Sequence, residues 1–212
     1  TEGKNIINAT IEDTVGRVSS DVKEIILDTI APITETNVSA GNYAEDLSIN
    51  LTANEAGVTI KYSIDGTAPS IIYSGPIAIG EGATTLKFFA VDLAGNAEEV
   101  KNVLYLVDKT APSILIDPVI SPTNVNTQTI TGTFTETNVK SITVNTEEVT
   151  PVGATFSTVV SLTEGTNIVN ATIEDIVGRK TSDTKIIVLD TIVPVTEANI
   201  SSGNYGSGGL RR

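Results

Sequence analysis

Apolar and polar residues alternate along most of this chain. Leu47, Ile49 and Leu51 point one way while Ser48, Asn50 and Thr52 point the other. Val58, Ile60, Tyr62 and Ile64 repeat the pattern, as do Leu86, Phe88 and Ala90. Further on, Ile130 and Phe134 flank Gly132, and Val169, Ala171 and Ile173 line another such run. A period of two is the mark of a half-buried β-strand. The stretch from Asn102 to Asp108 is apolar on both sides, so its register stays ambiguous. The strands are short, with frequent turn signals between them. This predicts an all-β chain built as antiparallel sandwiches of about seven strands each.

The turns repeat as regularly as the strands. Glu81-Gly82, Asp92 and Gly95 recur in spacing as Glu164-Gly165, Asp175 and Gly178, and again as Glu2-Gly3, Asp13 and Gly16. Each set predicts a turn, a strand, a tight turn and a returning strand. Gly supplies a positive φ, and Asp hydrogen-bonds the turn backbone. The likeness goes further at one offset. Residues 1–43 and 163–205 are identical at 30 of 43 positions, 162 residues apart. That period is too long for a solenoid coil and suits a pair of β-domains.

The segments DTIAP (Asp28–Pro32), DKTAP (Asp108–Pro112) and DTIVP (Asp190–Pro194) place a proline just after a strand, where it cannot continue a ladder. They divide the chain into four parts. Residues 1–29 are the closing hairpin of a truncated domain, 30–109 a first whole module and 110–191 a second. Residues 192–212 hold the first strand of a next repeat and then GSGGLRR, which reads as a flexible tail or a cloning remnant. The opening hairpin lacks the strands that would cover it, so an apolar face and an open edge are expected there. A neighbouring chain could complete it by supplying strands, or the chain is cut from a longer protein.

Composition narrows the chemistry. The 212 residues include no Cys, His, Met or Trp. A chain without Met does not start at a translation start, which points to a piece of something longer. Without Cys there are no disulfides or thiolates, and without His the usual general base and transition-metal ligand are missing. No apolar run is long enough to span a membrane as a helix. A net charge of -13, spread along the chain, repels phosphate backbones and argues against nucleic acid.

The sequence KYSIDGTAPS (Lys61–Ser70), then YSGPI (Tyr73–Ile77) and EGATTLKFFAVDLAGNAE (Glu81–Glu98), resembles the immunoglobulin-like domain at the C-terminal end of chitobiase-type secreted bacterial enzymes. The likeness covers roughly residues 31–108. The second module and the opening fragment resemble, more loosely, bacterial immunoglobulin-like repeats with D-x-T-x-P joints and an E-G-x-N opening to the strand. The resemblance implies a secreted or cell-surface setting, bacterial in source, and a non-catalytic role.

Candidate chemistry is sparse. Asp13, Asp92 and Asp175 occupy turn positions, and thin sandwiches offer no cleft for a pair of catalytic carboxylates. No catalytic or cofactor-binding residue is therefore assigned. Hard oxygen ligands could bind calcium at Asp28, Asp108 and Asp190, with the turn acids approaching the same ends. No other cofactor is expected. A sugar platform could form only around Phe89 and Tyr73. Tyr62 and Phe88 face inward by alternation, and Tyr43 and Tyr205 lie in the repeated GNY. Sequons at Asn8, Asn37, Asn50, Asn170 and Asn199 matter only where a glycosylation pathway exists. The early strands, Ala31–Val38 and Ser113–Ile120, carry no Lys, which speaks against a Lys–Asn cross-link.

Two functions remain. One is a structural repeat segment acting as rod, adhesin stalk or extracellular filament subunit. Its partners would be further copies of the repeat, or other chains by strand complementation. The other is an accessory or spacer module of a secreted polysaccharide-degrading enzyme, with weak carbohydrate binding.

Overall fold

The computed structural model describes residues 1–197. Within them every regular element is a strand, and no helix long and apolar enough to cross a membrane is present. The chain divides into two compact units. One is Thr1–Ala111 with the turn Asp175–Arg179; the other runs from Pro112 to Glu174 and resumes at Lys180.

The first unit opens with a hairpin of β1 (Gly3–Glu12) and β2 (Val18–Leu27), paired antiparallel from Gly3↔Leu27 to Glu12↔Val18. It then builds a sandwich from β3 (Thr34–Thr36), β4 (Gly41–Tyr43), β5 (Leu47–Ile49), β6 (Leu51–Ala53), β7 (Thr59–Ser63), β8 (Ile71–Ile72), β9 (Ile77–Ile79), β10 (Gly82–Val91) and β11 (Lys101–Val107). One sheet runs β4-β11-β10-β7-β8; the pairs β3–β6 and β5–β9 form the rest. The run Leu47–Ala53 keeps its alternation but breaks at Asn50, so its halves pair with different partners. Asn37 fixes the break: its Oδ1 accepts the Asn50 N–H (2.6 Å), and its own N–H donates to the Asn50 carbonyl (3.2 Å).

The core of this sandwich gathers Ile49, Leu51, Ile60, Ile77, Ile79, Leu86, Phe88, Ala90, Tyr105 and Val107. The ambiguous register of the last strand is settled by Tyr105 and Val107 turning inward while Leu104 faces out. Tyr105 can be fully buried because its hydroxyl donates to the Val38 carbonyl (2.8 Å). The expected alternation fails at Ile64, which is exposed. The strand ends at Ser63, whose Oγ turns in to donate to the Thr67 carbonyl (2.8 Å).

The second unit contains β12 (Ser113–Ile116), β13 (Thr127–Thr135), β14 (Val139–Val144), β15 (Glu147–Glu148), β16 (Thr155–Ser161), β17 (Gly165–Asp175) and β18 (Lys180–Leu189). They form two sheets, β12-β13-β16 and β15-β14-β17-β18. Their inner faces meet in a core that includes Ile116, Ile130, Phe156, Ile173 and Ile187. Gly132, on the central strand β13, is there for space. A Cβ would lie 2.2 Å from the Leu115 carbonyl oxygen and 2.4 Å from the Phe156 ring.

The hairpin β17–β18 keeps the register of β1–β2 at the 162-residue offset, from Gly165↔Leu189 to Glu174↔Lys180. The burial is opposite. Ile173 and Ile187 are fully buried, whereas Ile11 is 73% exposed and Ile25 49% exposed. The expected bare face of the opening hairpin is therefore present. Residues 192–197 contain no strand; the remainder of the expected next repeat, with Asn199, Tyr205 and GSGGLRR, lies outside the described residues.

Candidate functional site: the aspartate turns and their clamps

The strongest polar geometry lies where the sequence repeats its Asp and Gly. In each long hairpin the Asp side chain caps the turn that follows it. Asp13 Oδ1 accepts the N–H groups of Val15 (3.0 Å) and Arg17 (2.9 Å). Asp175 Oδ1 does the same for Val177 (3.0 Å) and Arg179 (2.8 Å). Asp92 Oδ1 accepts from Gly95 (2.7 Å) and Asn96 (2.8 Å). The glycine three residues on holds a positive φ of 80°, 90° or 97°, which lets the loop close. The turn acids are thus structural.

The residue four places after each Asp is the one that reaches outward. Arg179 donates from Nε to Asp175 Oδ2 (2.8 Å) and from Nη2 to the carbonyl (2.8 Å) and Oδ1 (3.0 Å) of Asp108, and also to the Thr110 carbonyl. Asn96 donates from Nδ2 to the Asp28 carbonyl (3.0 Å). Arg17 pairs with Asp13 and stands almost wholly in water. The side chains of Asp175 and Asp108 are 0% and 1% exposed, and that of Arg179 is 28%. Burial alone would raise the Asp175 carboxyl. The side-chain and backbone hydrogen bonds from Arg179, with its charge, outweigh that and hold it below the ordinary aspartate range. Asp175 in turn raises the Arg179 guanidinium.

A second repeated device was not legible as a site. Glu2 takes the Thr29 N–H (2.9 Å) and hydroxyl (2.7 Å) on its two carboxylate oxygens. Glu164 takes the Thr191 N–H (3.2 Å) and hydroxyl (2.7 Å), and Glu81 takes the Lys109 N–H (2.8 Å). The Glu that opens a hairpin therefore clamps the residue just after the Asp that closes it. The near-constant separation of Glu and its partner, 27, 27 and 28 residues, is the signal that could have found it.

The calcium candidates sit in the same segments. Asp28, Asp108 and Asp190 each accept, on Oδ1, the N–H two residues on: Ile30 (3.1 Å), Thr110 (3.1 Å) and Ile192 (3.0 Å). Asp108 also carries the Arg179 guanidinium. Among the described residues the three do not gather into one cation-sized group. A further buried carboxylate, Glu98, fastens β3 to the sheet. It accepts the Thr34 N–H (3.1 Å) and hydroxyl, the Ala90 N–H (2.9 Å) and an ion pair from Lys101 (3.1 Å). Of the sugar-platform candidates, Tyr73 packs edge-on against Tyr62 with ring centroids 6.4 Å apart and is half-buried, as is Phe89.

Residues 38–102 match the family described as the chitobiase/beta-hexosaminidase C-terminal domain, and residues 117–191 match the one described as glucodextranase, domain B. The resemblance read from KYSIDGTAPS and YSGPI is thereby borne out. Both are accessory domains of enzymes, of types found in larger multidomain proteins and typical of secreted bacterial ones. No curated protein matches the chain. Among solved structures, the D1–D4 ectodomain fragment of ICAM-5 aligns with a TM-score of 0.51 at 12% identity, over 89% of this chain and 62% of that one. The fibronectin(III)-like modules of Clostridium thermocellum CbhA align at a TM-score of 0.38 and 18% identity, over 79% and 100%. A tetra-tandem repeat from the extending region of a large adhesion protein aligns at 0.38 and 21%, over 90% and 57%. The fold is that of tandem immunoglobulin-like β-sandwiches.

Proposed function

We propose that this chain is a non-catalytic structural repeat segment of a secreted or cell-surface bacterial protein, serving as rod, adhesin stalk or extracellular filament subunit. The observation that carries the reading is the duplication: 30 of 43 positions are identical across 162 residues. The duplicated parts include the turn caps and the Glu clamps, which hold backbone and leave little for a ligand. Sequence kept this closely in distant copies fits a protein in which repetition itself is useful. The domain division at residues 29, 109 and 191 belongs to this reading, as do further copies of the repeat as partners. Negative-stain electron microscopy tests it. Rods that lengthen with the number of modules are expected, and compact particles of fixed size contradict it.

A second reading has its own observation. Both matched family descriptions come from enzymes named for carbohydrate substrates. As a spacer in such an enzyme the chain would bind polysaccharide weakly, and specific retention on a glycan array would favour that role. Calcium at Asp28, Asp108 and Asp190 is a separate proposal. It requires the melting temperature to fall on adding chelator, and an unchanged melt removes it.

A further inference from the structure

The outer face of the five-stranded sheet departs from the charge of the rest of the chain. The sequence holds 26 Asp and Glu, yet none lies in β4, β7, β8, β10 or β11. The four-stranded sheet of the second unit, by contrast, carries Glu147, Glu148, Glu174, Asp175 and Asp183 in its strands. On β10, Leu86, Phe88 and Ala90 turn into the core, so Lys87 and Phe89 face out. Lys61 stands directly opposite Phe89, and Ile72 directly opposite Lys61. Ile72 is 62% exposed and Leu104, on β11, 57%, so this face is open among the described residues.

Lys61 is set apart by its lack of partners. Among the described residues every other Lys and Arg side chain makes an ion pair or a hydrogen bond, and Lys61 makes neither. Lys87 is held in place. Its Nζ donates to the Gly66 carbonyl (2.6 Å) within the field of Asp65, whose Oδ1 already takes the Thr67 N–H (3.0 Å) and hydroxyl (2.6 Å). Tyr73 belongs to the other side of the sheet, because it packs on Tyr62, the inward partner of Phe88. The Phe89 ring is thus left with one lysine across the strands, about 5 Å away between Cβ atoms, and one along its own strand, about 7 Å away. That is the reach of one sugar ring and a charged substituent on it.

We propose that Phe89 and Lys61 form a binding site for a carboxylate-bearing sugar of an acidic polysaccharide. The C–H face of the sugar lies on the Phe89 ring, and the Lys61 ammonium takes the carboxylate in a charge-assisted hydrogen bond. Lys87 adds positive field without giving up its own bond. The net charge of -13 does not prevent this, since charges more than about 8 Å away are largely screened at physiological ionic strength. A second copy of the same face does not fit as the occupant. It would set lysine against lysine with no carboxylate in either set of strands to pair them. The proposal rests on the accessory-module reading above and names its ligand class; Lys61 and Phe89 both lie in residues 38–102, the segment that matches the chitobiase-type family.

The test titrates the full chain with short oligomers of galacturonate and of glucuronate and follows its amide NMR signals. Shifts are expected in β7, β8 and β10 with at least one of the two. Lys61→Gln, which keeps most of the stem, should weaken that binding at least about tenfold, the worth of one charged hydrogen bond. Phe89→Leu, which keeps apolar bulk without the flat ring, should also weaken it, and Lys23→Gln on β2 should not. Unshifted core signals in each variant show that it is folded. The methyl ester of the bound oligomer, and oligoglutamate of equal charge, should each bind at least about tenfold more weakly. No shifts with either uronate overturns the proposal, as does equal binding by the methyl ester or by Lys61→Gln. Equal binding by oligoglutamate also overturns it, because the face then reads an acidic peptide. Retention of neutral glycans that survives Lys61→Gln removes this site and leaves the accessory-module reading standing.

Discussion

The hairpins β1–β2 and β17–β18 share turn, register and clamps, yet Ile11 stands in water where Ile173 is sealed. The comparison separates what a sequence does locally from what packing does to it. Asp13 and Asp175 cap their turns with the same bonds, and Glu2 and Glu164 clamp their threonines in the same way. Those devices need only the hairpin. Burial of the apolar face, and the arginine ion pair with a second aspartate, appear only in the copy with neighbours. Local turn chemistry sets the shape, and the opposing sheet provides most of the stability, as a two-stranded ribbon alone is marginal in water.

Matched substitutions in the two copies test that separation. The largest difference is expected in the core. Ile173→Ala should cost about 3 kcal/mol by loss of burial and creation of a cavity. For a domain of this size that is a fall in melting temperature of roughly 15 °C. Ile11→Ala should stay within about 0.5 kcal/mol, as surface changes do. A paired calorimetric melt checks both, and equal losses would show that Ile11 is covered in solution.

Next comes the guanidinium. Arg179→Met leaves the carboxylates of Asp175 and Asp108 buried without its charge, so a clear fall in melting temperature is expected. Because part of Arg179 is open to water, the fall should be smaller than for Ile173→Ala. Arg17→Met should change nothing measurable. Acid titration sharpens the same contrast. Asp175 is held below its ordinary range when folded, so its contribution is full above about pH 4. It is lost as the pH falls through the lower folded value. Melting temperatures across pH 6 to about 2 should therefore drop less steeply in Arg179→Met than in the parent chain. Parallel curves would mean that other groups carry the acid sensitivity.

The smallest expected difference is at the paired aspartates of the second strands. Asp183→Ala removes the acceptor of the Ile116 N–H and should cost about 1–2 kcal/mol. Asp21→Ala should be silent in the chain alone. If it is equally costly, Asp21 already has a partner that the hairpin itself does not supply.

Much of this was legible in the chain, and the limits have physical causes. Alternation identified Ile49, Leu51, Phe88, Ala90, Ala171 and Ile173 as inward positions, since period two follows directly from the pleat. It failed at Ile64, where the strand has already ended and the pleat no longer governs direction. The break at Asn50 left no trace in the hydrophobic pattern, because both halves keep the same parity across it. Asp13, Asp92 and Asp175 could be read as turn residues from local spacing alone. Glu2, Glu81 and Glu164 could not be read as clamps, because their partners lie a full hairpin away. The reach of Arg179 to Asp108 was hidden for the same reason, being a contact 71 residues apart in sequence.

Residue-resolved hydrogen exchange on the monomeric chain tests the central contrast most directly. The amides of β17–β18 should be protected to near the global stability of their sandwich, and those of β1–β2 should exchange at least about a hundredfold faster. Equal protection of the two hairpins, in a chain shown to be monomeric, would contradict the account.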